Sequence, residues 1–277
     1  MRRGTAAVLL SLLVIVAPAR AQGKKCPPDS VPVGSVCIDT FEASVWQIPP
    51  SNKGLVKKVQ SGKVTPADLT KGGAVQLGCD FSPFNLTIYP ANFPNSGQWT
   101  PVLESVPPSP GVYAASLPGV TPSSCITWFQ AAQACVLSGK HLPTNLEWQN
   151  ATVGTPDPGT DNGTTDCNVS TGVPASTGSR SSCKSVWGVF DMVGNAEEWV
   201  ADWGDRPNAG CSDSTTQFGF AGTGDAVCIG GSGSIPAPGA LVRGGTWDDA
   251  GAAGVFDVRT DFSPAGASNR VGFRCAR

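Results

Sequence analysis

One histidine in 277 residues, His141, excludes any site that needs several imidazoles. A Ser-His-Asp or Cys-His nucleophile would have to use that single residue, and no G-x-S-x-G turn accompanies it. His141 therefore reads as a partly exposed structural residue. No Cys-x-x-Cys pair occurs, which argues against a zinc site or a thioredoxin-like redox centre. Charged residues make up only 14% of the chain. With Gly, Pro, Ser and Thr abundant instead, the composition predicts many loops and few long helices. No apolar run is long enough to cross a bilayer.

Arg2 and Arg3, the apolar run Ala6 to Val16 and the triplet Ala19-Arg20-Ala21 have the form of a secretory signal over residues 1–21. Its removal takes three of 19 basic residues and no acid, leaving 16 Lys and Arg against 21 Asp and Glu, a formal charge of −5. That balance offers no electrostatic case for nucleic acid or anionic lipid as partner. Ten cysteines, an even number behind a signal, predict disulfides in an oxidising compartment, secreted or periplasmic. Sequence does not determine the pairing. Short polar loops favour Cys26–Cys37, Cys167–Cys183 and Cys211–Cys228 as local bridges.

The remaining 22–277 reads as a single domain. Val31 to Val33 and Val36 to Glu42 look like short strands, with Asp39 and Glu42 as structural partners of buried arginines. Residues 48–124 are dense in Pro, Gly, Asn and Ser and read as a loop-rich insertion with short strands. Thr127 to Gly139 predicts a helix: Thr127 and Gln130 have capping-box spacing, Trp128, Ala131, Ala132 and Cys135 share one face, and Gly139 suits the residue that ends it. Thr144 and Glu147 predict a second, shorter helix.

The densest stretch is Trp187 to Trp203, WGVFDMVGNAEEWVADW. Gly194-Asn195 marks a tight turn, followed by a strand from near Glu198. Asp191 and Glu198 bracket that turn, and two carboxylates with turn carbonyls are the hard oxygen ligands calcium takes. The alternative is a turn in which Glu198 pairs with a buried arginine such as Arg243 or Arg274.

This stretch, Trp128 to Thr152 (WFQAAQACVLSGKHLPTNLEWQNAT) and Leu241 to Arg277 (LVRGGTWDD…NRVGFRCAR) resemble, in order, three signature segments of the formylglycine-generating enzyme family, the sulfatase-modifying factors. The resemblance implies an α+β, C-type-lectin-like sulfatase-modifying-factor fold: loop-rich, two helices with small, mostly antiparallel sheets, stapled by disulfides. It implies a Cys135–Cys275 bridge, which leaves Cys79–Cys125. It also implies a structural calcium held by the Asp191 side chain, the Gly194 and Ala196 carbonyls and Glu198, with Asn168 and the Val169 carbonyl as ligands of a second ion.

Family members oxidise a cysteine of a client sulfatase to an aldehyde-bearing residue, using oxygen and copper(I) held by two cysteines after a Gly-Gly-Ser-Trp-like motif. Here that motif is Gly244-Gly245-Thr246-Trp247, and the matching positions are Asp249 and Gly254. Carboxylate and hydrogen cannot replace two thiolates, so copper and catalysis are not expected, and no catalytic residue is assigned. A related branch that takes iron with several histidines is excluded by the count. What the motif leaves is a binding cleft of Trp247, Asp248, Asp249, Phe256 and Arg259, suited to a protein, peptide or glycan ligand. The resulting expectation is a non-catalytic binding or structural module, a pseudoenzyme. The alternatives are an oxidase with relocated ligands and a glycan-binding or glycan-hydrolysing protein working at Asp249.

Overall fold

The computed structural model describes residues 25–81, 84–93, 95–96, 111–207, 224–229 and 234–277. The signal assigned to residues 1–21 lies outside them, as does Cys211. β1 (Ser30–Val33) and β2 (Val36–Asp39) form an antiparallel hairpin whose turn places Gly34 at φ +58°. β3 (Ala43–Gln47) is the centre of a three-stranded antiparallel sheet, between β4 (Val75–Leu77) and β7 (Val112–Ser116). Short β5 (Asp80–Phe81) and β6 (Phe84–Asn85) pair with each other.

Between β3 and β4 the chain forms two helices where the sequence reading has loops: α1 (Lys53–Gln60) and α2 (Pro66–Lys71). Local chemistry accounts for both. The Asn52 side chain accepts the Leu55 N–H at the start of α1. Thr65 and Asp68 close a capping box at α2, with Pro66 in its first turn. Leu55, Val59 and Leu69 then pack on Trp46, Ile48, Tyr113, Leu117 and Leu137.

α3 (Trp128–Leu137) and α4 (Asn145–Ala151) are the two helices the sequence predicts, each opened by the expected capping box. Gly139 follows α3 at φ +70°, a conformation that suits glycine. The larger sheet runs β12 (Val271–Phe273), β8 (Glu197–Pro207), β10 (Ser234–Arg243), β11 (Val258–Phe262), β9 (Val227–Cys228). Its β12–β8 and β11–β9 pairs are parallel; the other two are antiparallel. α3 lies on this sheet, burying Ala131, Ala134 and Cys135 with Trp199, Val242 and Phe273. Trp148 of α4 packs with Met192 and Val200 in a neighbouring cluster.

Four disulfides join these elements: Cys26–Cys37, Cys79–Cys125, Cys135–Cys275 and Cys167–Cys183. Cys228 is also disulfide-bonded, while Cys211, its expected partner, lies outside the described residues. Among the described residues no helix is long and apolar enough to cross a membrane.

Candidate functional site

The Trp187 to Trp203 stretch becomes a turn leading into β8. Asp191 and Asn195 sit at φ +58° and +62°, in the left-handed region, as does Gly194 at +70°. A Cβ on Gly194 would lie 2.3 Å from the Asn168 carbonyl oxygen, so the turn requires glycine there. The Ala196 N–H donates to Glu42 (3.0 Å), and the Asn195 amide donates to the other Glu42 oxygen. The Gly178 N–H donates to Asp191 (2.7 Å). Glu198 accepts Arg274 Nε (2.9 and 2.7 Å to its two oxygens) and Trp148 Nε1 (2.8 Å). Of the two arginines anticipated for Glu198, the partner is thus Arg274; Arg243 instead lies 4.6 Å over the Trp148 ring and donates to Gln149.

Glu42, Asp191, Glu198 and Arg274 are all buried. When every group is ionised, three carboxylates face one guanidinium. Burial pushes Asp191 up to about 7 against the Gly178 hydrogen bond and Arg274. Burial, then the charges of Asp191 and Glu198, hold Glu42 well above the carboxylate range. These are hard oxygen donors, the type calcium takes; among the described residues no group of three or more His, Cys, Asp or Glu side chains is gathered as a metal site. The Asn168 and Val169 oxygens accept hydrogen bonds around the turn. The Asn168 carbonyl accepts the Asn195 N–H (2.8 Å), its side-chain oxygen accepts Thr171, and the Val169 carbonyl accepts the Ala250 N–H (2.8 Å). These contacts brace the turn from outside.

At the family's two cysteine positions the structure holds oxygen. Asp249 Oδ2 accepts the Thr246 N–H (2.8 Å). A Cβ on Gly254 would fall 2.2 Å from Asp225 Cγ, so the Asp225 carboxylate fills the space a side chain there would need. Asp225 accepts the Phe256 N–H (2.7 Å) and Asp157 the Val255 N–H (3.0 Å). Burial, with the Asp225 charge adding, raises the Asp157 pKa. Among the described residues no cysteine is free. Copper(I) does not fit this donor set.

The five residues read as one cleft are divided. Trp247 is buried and offers no ring face to a ligand. Asp248 pairs with Arg270, and Asp249 lies 3.7 Å from the same guanidinium. Arg259 is held between Glu197 (3.1 Å) and Asp261 (3.0 Å). Phe256, 41% exposed, belongs to a separate hollow of about 400 Å³ with Asn145, Gln149, Val227, Ile229 and Val258.

Glu197 and Asp257, neither of which the sequence reading assigns a role, are both buried. Burial, opposed by Arg259, pushes Glu197 up to about 7. Neither oxygen of Asp257 has a hydrogen-bond partner. Burial, then the charge of Glu197, puts Asp257 well above the carboxylate range. An unfolded Asp ionises near pH 4. As pH rises past that value the unfolded chain releases a proton that the folded chain keeps, so native stability falls until the folded pKa is passed and stays low above it. Asp257→Asn is therefore expected to raise Tm by roughly 2–6 °C at pH 8, on the order of 1–2 kcal/mol, and by much less at pH 4.5. Thermal melts at the two pH values check this; equal shifts at both would refute the buried-charge account.

Comparison with known proteins finds a family match to the sulfatase-modifying factor enzyme 1-like domain, over residues 113–277. No curated protein matches the chain. Among solved structures the chain is similar to the Major Tropism Determinant U1 variant, at 18% identity and TM-score 0.46, over 92% of this chain and 54% of that one. It is similar to the P3c variant at 23% identity and TM-score 0.37, over 54% of this chain and 37% of that one. It is also similar to PvdO from Pseudomonas aeruginosa, at 16% identity and TM-score 0.41, over 87% and 80%. The chain thus spans 37% to 54% of the length of these two tropism determinants.

Proposed function

Because the chain belongs to the family of sulfatase-modifying factor enzyme 1-like domains, matched over residues 113–277, we propose that it is a non-oxidising binding or structural module on that family's frame. The observation that carries this reading is the filling of the two metal-ligand positions. Asp249 caps a backbone N–H, and the Asp225 carboxylate occupies the space beside Gly254. Hard oxygens there do not bind copper(I) as two thiolates do.

The rest of the reading follows from the same chemistry. Residues 22–277 form one exported domain, and 48–124 are an insertion that carries α1 and α2. Export from a signal at residues 1–21 is supported by the disulfide pairing of the described cysteines. Asp191 and Glu198, with the Gly194 and Ala196 carbonyls, would hold one calcium ion, whose two positive charges offset the excess of buried carboxylate around Arg274. The ligand face is the hollow at Phe256, where an exposed ring, apolar Val227 and Ile229 and the Asn145 and Gln149 amides suit a peptide or a sugar. Glycan hydrolysis has less support, since Asp248 and Asp249 both face Arg270.

The test uses the purified chain. Denaturing thiol titration is expected to find no free sulfhydryl, and a cysteine peptide incubated with the protein, copper(I) and oxygen is expected to keep its mass. An aldehyde on that peptide would overturn the reading. Calcium at pH 7.5 is expected to raise Tm by several degrees and a chelator to reverse it, in line with mass-action stabilisation of the native state. A melt indifferent to both removes calcium and leaves the rest standing.

A further inference from the structure

The insertion carries charge unlike the rest of the chain. Between Pro49 and Cys79 there are five lysines and one acid, Asp68, in a protein whose formal net charge is −2. Asp68 is taken by Lys58 (2.6 Å). Among the described residues Lys53 and Lys57 have no acidic partner, and both are exposed. They lie on one face of α1 with Val56 and Gln60, at the spacing i, i+3, i+4, i+7. The other side of α1 buries Leu55 and Val59 in the core, so this face is held in place by packing.

That face forms one wall of a cavity of about 320 Å³. Ile48, after β3, and the Tyr113 ring in β7 also line it. Gln60 is fixed by a hydrogen bond from its amide to the Leu137 carbonyl (3.0 Å). The first turn of α1 contains no acid, so the partial positive charge of its N-terminus is not offset there. The cavity thus combines apolar Ile48, Val56 and Tyr113 with two lysines, and among the described residues no carboxylate lines it. Its volume is at the small end for ligand sites, enough for a fused aromatic ring or a short acyl chain.

We propose that this cavity binds a small amphipathic anion: an aromatic or short-acyl body against Ile48, Val56 and Tyr113, and one carboxylate, sulfate or sulfonate head between Lys53 and Lys57. The site lies in the insertion, away from the Phe256 hollow, and does not depend on the reading of the family site.

The experiment is a fluorescence titration of the full chain with anilinonaphthalene sulfonate and with its uncharged counterpart, N-phenyl-1-naphthylamine. The anion is expected to bind one to one and about tenfold more tightly than the neutral dye, the value of one good charge-assisted contact. K53A/K57A is expected to remove that difference and leave the neutral dye's affinity within about twofold. Val56→Trp, which fills the cavity, is expected to weaken both dyes. K63A/K71A, removing exposed charges outside the cavity, and Phe256→Ala are expected to change neither. Unchanged anion affinity in K53A/K57A would overturn the proposal. So would an equal loss in K63A/K71A, which would mean a diffuse basic face for an acidic protein or anionic membrane. Loss confined to Phe256→Ala would do so as well, by moving the dye to the other hollow.

Discussion

Replacing Arg274 by alanine is expected to cost the fold about 3–5 kcal/mol, the penalty for leaving a buried carboxylate without its cation. The side chain is fully buried, and each of its nitrogens is engaged. Nε bonds both oxygens of Glu198, Nη1 the Asp39 carbonyl (3.2 Å) and Nη2 the Phe190 carbonyl (2.9 Å). One guanidinium thus ties the end of β12 to β8, to β2 and to the turn before Gly194. Without it Glu198 loses its paired cation, and Glu42 and Asp191, which burial already raises, lose a nearby positive charge. In a domain of this size the loss corresponds to a fall in Tm of roughly 10 °C or more. The deficit should be smaller at pH 5 than at pH 8, because protonated carboxyls do not need the arginine. Arg274→Lys keeps the charge but not the fork that meets two oxygens and two carbonyls, and should fall between. Urea denaturation at both pH values measures this. An Arg274→Ala protein within about 1 kcal/mol of the parent at pH 8 would show that Glu198 is compensated by something other than this arginine.

The same residues show what a sequence can and cannot carry. α3 and α4 were legible because Thr127 with Gln130, and Thr144 with Glu147, are three residues apart and act within one turn. α1 and α2 carried signals of the same kind: the capping box of Thr65 with Asp68 is as regular as the other two. They were hidden by the Pro, Gly and Ser around them, although composition governs short helices less than caps and a buried Leu55–Val59 face do. The turn at Gly194 and the strand from Glu197 were also local and legible. The long-range partners were not. Asp39 and Glu42 were expected to meet arginine side chains. Asp39 instead pairs with Lys140 (2.6 Å), and Glu42 caps the Ala196 N–H, 154 residues away. The Asp225 carboxylate beside Gly254 and the burial of Trp247 are packing facts with no local spacing to announce them. The sequence could show that thiolates were missing from the family positions. Only the fold shows what stands in their space.

The pair Cys135→Ala/Cys275→Ala is expected to lose about 5 kcal/mol, against about 3 kcal/mol for Cys26→Ala/Cys37→Ala, from the loop-closure entropy each bridge removes from the unfolded chain. The ratio follows from separation: 140 residues in one case, 11 in the other. A loss of about 5 kcal/mol is a large share of the net stability of an ordinary domain, so the first variant should be mostly unfolded at 37 °C. Native-state contacts push in the same direction. Both sulfurs are fully buried, and the Cys275 N–H donates to Asp39 (3.2 Å), whose other oxygen holds Lys140. The bridge therefore joins α3 to the last strand beside a buried ion pair, and its loss loosens both. The Cys26–Cys37 bridge only closes the chain's entry onto β2, with Cys26 half-exposed. Equilibrium urea unfolding of the two double variants decides the matter. Equal losses would mean that neither bridge acts through the unfolded chain, and that packing around each cysteine, not the length of chain it closes, sets its contribution.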